Sequence, residues 1–108
     1  MARKDSLGTG DKARLLRALA FQIRRKRPLE DAFTDVLEQE FRGGRHRLFR
    51  PAADAMAETG ILSALVLLGL LGIEAAAVMA AVLEANDHRL LAGALERLAD
   101  HAEQFPEE

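Results

Sequence analysis

Apolar side chains in this chain recur three and four residues apart, and the pattern resets at short intervals. The resets fall at Pro28, Gly43-Gly44, Thr59-Gly60, Gly69 to Gly72 and Asn86-Asp87. A 3.6-residue period interrupted by such breakers specifies short amphipathic helices joined by tight links. β-branched residues are scarce and never alternate with polar ones, so no strand is expected. The expected fold is all-α, a compact bundle of about six short helices. Alanine and leucine dominate the composition, and both lose little side-chain freedom in a helix.

The spacing predicts helices over 12–25, 29–41, 48–58, 62–68, 73–85 and 89–104. Asp11 suits the N-cap of the first, and Asn86-Asp87 reads as the stop of the fifth and the cap of the last. Pro28 pre-sets the first turn of the second, where Glu30 and Asp31 meet the positive end of the helix dipole. Pro51 is expected within the first turn of the third, or else that helix starts near Arg50. The apolar stripes nominate Leu19, Phe33, Leu37, Met56, Leu65, Leu83, Leu95 and Leu98 for the core. Leu90 is expected to share the stripe of the last helix. Glu40 falls on the apolar side of the second helix and is expected to be its one non-core member. Residues 1–10 are expected to form a flexible tail, 11–104 a single domain and 105–108 an acidic tail.

The net charge of −2 conceals an uneven distribution. Residues 1–50 hold 13 of the 15 basic side chains but only 7 of the 17 acidic ones. A surface of that kind has a basic and an acidic half, able to orient a charged partner. The segment from Ile61 to Leu83 is long and apolar enough to raise the question of a membrane span. Glu74 near its middle would cost about 2.5–3.5 kcal/mol at a bilayer centre, and Gly69 and Gly72 interrupt it. A buried helix pair is therefore expected, with no span. The start Met-Ala-Arg-Lys-Asp has no apolar stretch of a secretory signal. With no cysteine, the chain suits a reducing cytoplasm.

Chemistry-bearing residues are few. His46, His88 and His101 are never three or four apart, so no zinc site and no other metal site is expected. Glu84, Asn86 and Asp87 lack the spacing of a calcium loop and read as helix caps. Glu74 reads as a first-turn anion. Gly8-Thr9-Gly10-Asp11-Lys12 follows no strand and lacks the spacing of a phosphate loop. No catalytic residue, cofactor or enzymatic activity is expected.

The polar feature with most content is on the first helix. Arg14, Arg17 and Phe21 project away from its leucine stripe, and Arg24 and Arg25 continue that side. Phe21 is either covered by another helix or left as an aromatic anchor flanked by arginines, residue types enriched in binding hot spots. The acidic second half offers one complement, so that the basic face of one copy meets the acidic face of another. The wider basic set, Arg24 to Arg27 with Arg42, Arg45, Arg47 and Arg50, raises nucleic acid as the alternative ligand. Against it stand an overall pI near 5.9 and the absence of a helix-turn-helix signature or stacking aromatics.

One family shares the order of these signals. The segment Leu19 to Phe33 resembles the first helix, proline-leucine turn and second helix of the cytoplasmic domain of F-type inner-membrane platform proteins. Those proteins serve bacterial type II secretion and type IV pilus systems. Met56 to Leu65 resembles the family's third helix, glycine and small leucine-serine-alanine-leucine helix. Glu84 with Leu91, Leu95, Leu98, Ala99 and Glu103 resembles its glutamate, turn and closing helix. The resemblance spans about Leu15 to Glu103. It implies a six-helix cytoplasmic domain that contacts an assembly ATPase, other platform subunits or pilin-like components and has no chemistry of its own. The chain departs from the pattern at Lys26 and near Asp87, where the family has glycine. The segment after Gly60 is about two residues short, and the family's second domain and membrane helices have no counterpart in this reading.

Overall fold

The computed structural model describes residues 8–104. The chain forms α1 (Thr9–Arg24), α2 (Leu29–Arg42), α3 (His46–Glu58), α4 (Ile61–Leu67), α5 (Ile73–Ala85) and α6 (His88–Gln104). No strand occurs among the described residues. Of the tails expected over 1–10 and 105–108, residues 1–7 and 105–108 lie outside them, whereas Thr9 and Gly10 belong to α1.

The most extensive packing is α1 against α6, which brings the two ends of the domain together. Their direction follows from three ion pairs. Arg17 meets Glu103 and Asp100, and Arg24 meets Glu96, so the helices run antiparallel. α2 packs on α1, α3 on α2 and α4, and α5 against α4 and α6. The core joins Leu15, Leu16, Leu19 and Ile23 of α1 to Phe33 and Leu37 of α2, Phe49 of α3, Leu65 of α4 and Leu95 of α6. Leu19, Phe33, Leu37, Leu65 and Leu95 are buried as expected, whereas Met56, Leu83 and Leu98 are half-buried against the core.

Several expectations are corrected. α1 begins three residues before Lys12, with Gly8 at its N-cap. Asp11 lies inside the first turn and its carboxylate serves arginines instead of the cap. α3 begins at His46, five residues before Pro51. Pro51 and Arg47, whose carbonyl loses its helical donor to the proline, are both exposed residues. The added first turn is supported by the His46 ring stacked on Phe41, with centroids 4.8 Å apart. Leu90 is half exposed, and the small residues Ala92 and Ala99 are buried in its place.

The expected burial of Ile61 to Leu83 holds for its first half only. Ile61, Ala64, Leu65, Leu68, Leu70 and Leu71 are buried. In α5 only Met79 is, while Ile73 is 82% exposed and Val78 65%. No helix among the described residues is long and apolar enough to cross a membrane. The apolar run is divided by the turn from Leu68 to Gly72 into helices of 7 and 13 residues. Thirteen residues rise about 20 Å, short of the ~30 Å hydrocarbon core.

Three helices end in the same way. After α1, α2 and α4 the chain closes a paired backbone motif: Arg27 N–H to Gln22 O with Lys26 N–H to Ile23 O, and its equivalents at Arg45/Gly44 and Leu70/Gly69. That motif places one residue in the left-handed region. Gly44 (φ 88°) and Gly69 (φ 82°) fill it after α2 and α4, and Lys26 (φ 68°) after α1. A side chain there carries a steric cost of about 1–2 kcal/mol. Asn86, at φ 56°, fills a left-handed position after α5, one that asparagine tolerates. Asp87 then caps α6 by accepting the backbone N–H of Arg89 and of Leu90.

Two outcomes follow for stability. Lys26→Gly is expected to raise the unfolding free energy by about 1 kcal/mol, part of the relieved strain being offset by glycine's greater unfolded freedom. Leu95→Ala, at a fully buried site, is expected to lower it by about 2–5 kcal/mol. Urea unfolding followed by circular dichroism measures both.

Candidate interaction surface

The outer side of α1 lies between α2 and α6, and the structure divides its five nominated residues into two groups. Arg14, Arg17 and Arg24 turn towards carboxylates of the same chain. Phe21 and Arg25 stay at the surface.

Arg17 makes a two-pronged contact with Glu103, at 2.7 and 2.9 Å, and reaches Asp100 at 2.8 Å. Arg24 grips Glu96 through Nε and Nη2 at 2.8 and 2.7 Å. The guanidinium hydrogen bonds hold the Glu103 and Glu96 carboxyls below their ordinary range and raise both arginines further. These pairs are solvent-exposed, and water and salt screen them so that they add little to stability. Their stronger effect is on register, because planar two-pronged contacts fix how the two helices face.

Arg14 belongs to a more buried arrangement. It donates to Glu40 at 2.9 Å and to Asp11 at 3.3 Å. Arg45, in the link before α3, also donates to both, at 3.5 and 3.1 Å. Two guanidiniums and two carboxylates thus close a ring that ties α1, the end of α2 and the start of α3 together. The Glu40 side chain is 8% exposed. Its position on the apolar side of α2 is therefore a core position after all: two arginines bring the compensating charge to it, and no buried side-chain polar atom lacks a partner among the described residues. The arginine hydrogen bonds, Arg45's foremost, hold Asp11 below its ordinary value of 3.8.

Phe21 is 62% exposed, so no helix covers it. The Arg25 guanidinium carbon lies 5.6 Å from its ring centroid, within cation–π range. The wider basic set is similarly divided. Arg27 is paired with Asp35 and Gln22, and Arg45 lies 5.7 Å from the Phe49 centroid in addition to its ion pairs. Arg42, Arg47 and Arg50 are exposed.

Two open clefts, of about 490 and 790 Å³, lie between α5 and the body of the domain. The smaller is lined by Ile23, Val82, Leu83 and Leu91, with Lys26 and Asp87 at its edge. The larger is lined by Leu16, Leu70, Ile73 and Leu98, with Lys12, Arg97 and His101. Glu74 sits exposed in the first turn of α5, as expected of an anion at that end. Among the described residues no three histidine or acidic side chains converge as a metal-ion group would require.

Sequence reasoning could find the arginines but not their partners, which lie 72 to 86 residues away for Arg24 and Arg17. The exposed face of α5 was missed because an all-apolar helix reads as a buried one. Its signal was present in the absence of a polar side: between Glu74 and Glu84 every residue is Ala, Val, Met or Leu.

Removing both cations from Glu40, in Arg14→Ala/Arg45→Ala, is expected to cost about 3 kcal/mol, since a buried carboxylate is left unpaired. Glu40→Ala is expected to cost less, about 1 kcal/mol, because Arg14 and Arg45 are part-exposed and water can take the carboxylate's place. Acid should weaken the fold by the same logic. The lowered carboxyls of Asp11, Glu96 and Glu103 contribute stability above their ordinary values of 3.8 and 4.5, and lose it as pH falls through the lowered ones. A melting temperature that does not decline below those values would contradict this assignment.

Comparison of the chain with protein-family models, with curated proteins and with solved structures gives no match to any of them.

Proposed function

We propose that this chain is a non-catalytic protein-interaction domain, a scaffold or adaptor working in the bacterial cytoplasm. In this reading it is similar to the cytoplasmic F domains of type II secretion and type IV pilus platforms, with secretion or pilus components among its partners. The supporting observation is Phe21, uncovered on the most heavily packed helix and carrying Arg25 on its ring. A large aromatic exposed on a rigid element loses little freedom on binding, and aromatic and arginine side chains supply most hot-spot energy. Arg17 and Arg24, by fixing α1 against α6, hold that anchor in place. The sequence resemblance from Leu15 to Glu103 supports the same reading, as does its departure at Lys26, a position whose backbone suits glycine.

The same observations weigh against the nucleic-acid reading. Arg24, Arg27 and Arg45 already face carboxylates of their own chain, and a phosphate would have to displace them.

A photo-crosslinking amino acid at Phe21, with one at the exposed Asp54 as control, tests the proposal in cells of the source organism. The expected result is a discrete protein adduct at Phe21 and none at Asp54. In binding assays with the protein so identified, Phe21→Ala should weaken affinity roughly thirtyfold, about 2 kcal/mol, without lowering the melting temperature. Tight binding to a labelled DNA duplex, falling steeply with salt, would overturn it.

A further inference from the structure

The acidic complement expected for the basic face is absent from α6. Glu96, Asp100 and Glu103 are already held by Arg17 and Arg24 of the same chain. The exposed side of α5 supplies another. Glu74, Ala77, Ala81 and Glu84 are all exposed and occupy positions i, i+3, i+7 and i+10. That spacing keeps them on one side of the helix, with the two carboxylate-bearing positions about 15 Å apart. The floor between them is alanine, and Val78 borders it.

The outer side of α1 carries the complementary row. Arg14, Ala18, Phe21 and Arg25 stand at i, i+4, i+7 and i+11, the two arginine positions about 16 Å apart and within about 20° of one another around the axis. Arg14 keeps half of its side chain exposed despite its pairs with Asp11 and Glu40. One row is therefore cation, small residue, aromatic, cation. The other is anion, alanine, alanine, anion, at nearly the same span. Laid along each other in either direction, Arg25 reaches a glutamate and Phe21 rests on the alanine floor, while the exposed part of Arg14 faces the other glutamate without giving up Glu40 and Asp11.

The two rows cannot meet within one molecule. Leu16 and Ile23, on the inner side of α1, line the clefts beneath α5, so α5 lies on the side of α1 opposite Phe21. A two-fold pairing of α5 with itself is also disfavoured, because antiparallel α5 helices set the like charges of Glu74 of one copy and Glu84 of the other side by side. We propose that α5 of one copy docks along the outer side of α1 of a second copy, head to tail. This inference rests on the reading of Phe21 as an anchor and names a second copy of this chain as a partner. A contact between two different faces leaves one of each free at the ends, so it extends beyond a dimer unless the rotation closes a ring.

Sedimentation of the full chain from micromolar to millimolar concentration tests it. At low salt the average mass should rise past that of a dimer, and high salt should suppress the rise. Phe21→Ala and the pair Glu74→Lys/Glu84→Lys should each lower the association constant roughly tenfold or more. All three residues are exposed, and circular dichroism verifies that the variants remain folded. Arg25→Glu should weaken association, and adding either Glu74→Lys or Glu84→Lys should restore it, the effective partner revealing the direction of docking. A monomer at every concentration in low salt, a plateau at dimer mass, or association indifferent to Glu74→Lys/Glu84→Lys would overturn the proposal. A foreign adduct at Phe21 that survives Glu74→Lys/Glu84→Lys would leave the interaction-domain reading standing while this one fails.

Discussion

Small residues at the seam of α1 and α6 let the first and last helices approach closely, and the rest of the bundle is arranged around that pair. Ala13 and Ala20 border the arginines of α1, and Ala92 and Ala99 border the acids of α6; all four are buried. Leucine at these positions would push the axes apart and lengthen the reach of every charged pair above them. With the axes close, Arg17 and Arg24 span the seam in two-pronged contacts while Leu16, Leu19 and Leu95 fill the space below. The seam joins segments more than 70 residues apart in sequence, so closing it carries a loop-entropy cost that grows only slowly with length. Burial of the leucines under it supplies the compensating free energy at about 25 cal/mol per Å².

A second constraint organises the other end of α1. Glu40 would be costly at a core position alone, and it is tolerated because Arg14 and Arg45 arrive from different elements. Gly44 makes this possible: its left-handed backbone turns the chain so that Arg45 comes back over the end of α2. The four-member ring is therefore as much a device for setting the α2–α3 angle as a source of stability. Substituting Gly44 would strain the turn and also move Arg45 off its two carboxylates.

These contacts mark the border of what the sequence discloses. Helix type and most bounds were legible because periodicity and breakers are local: α5 occupies the range its pattern predicts, and α2 and α6 differ by one residue. The core leucines were legible for the same reason. Glu40 was not, since its burial depends on Arg14, 26 residues away in sequence. The start of α3 was obscured by Pro51, whose helix-breaking character is cancelled by a solvent-facing position and by the Phe41–His46 stack. At the candidate surface the five residues could be named, but not which of them the rest of the chain would engage. The acids of α6 engage Arg17 and Arg24, while Phe21 and Arg25 remain at the surface.

The least anchored element is α5, and its looseness bears on how the domain meets a second copy. Met79 is its one fully buried side chain, Ala75, Ala76, Val82 and Leu83 pack half-buried on the core, and the two clefts lie beneath its ends. A helix with few buried contacts opens at lower free energy than the body it rests on. Anything that binds its outer side in the closed position stabilises that position by mass action. The association proposed between α1 and α5 would therefore do more than link copies: it would hold down the one helix that the fold itself leaves half secured. The converse holds as well. A free copy, with α5 uncovered, exposes Ile73 and Val78 to water. Docking then becomes more favourable as α5 spends more time closed, so the packing of Met79, although it lies on the hidden side of the helix, governs the strength of a contact on the opposite side.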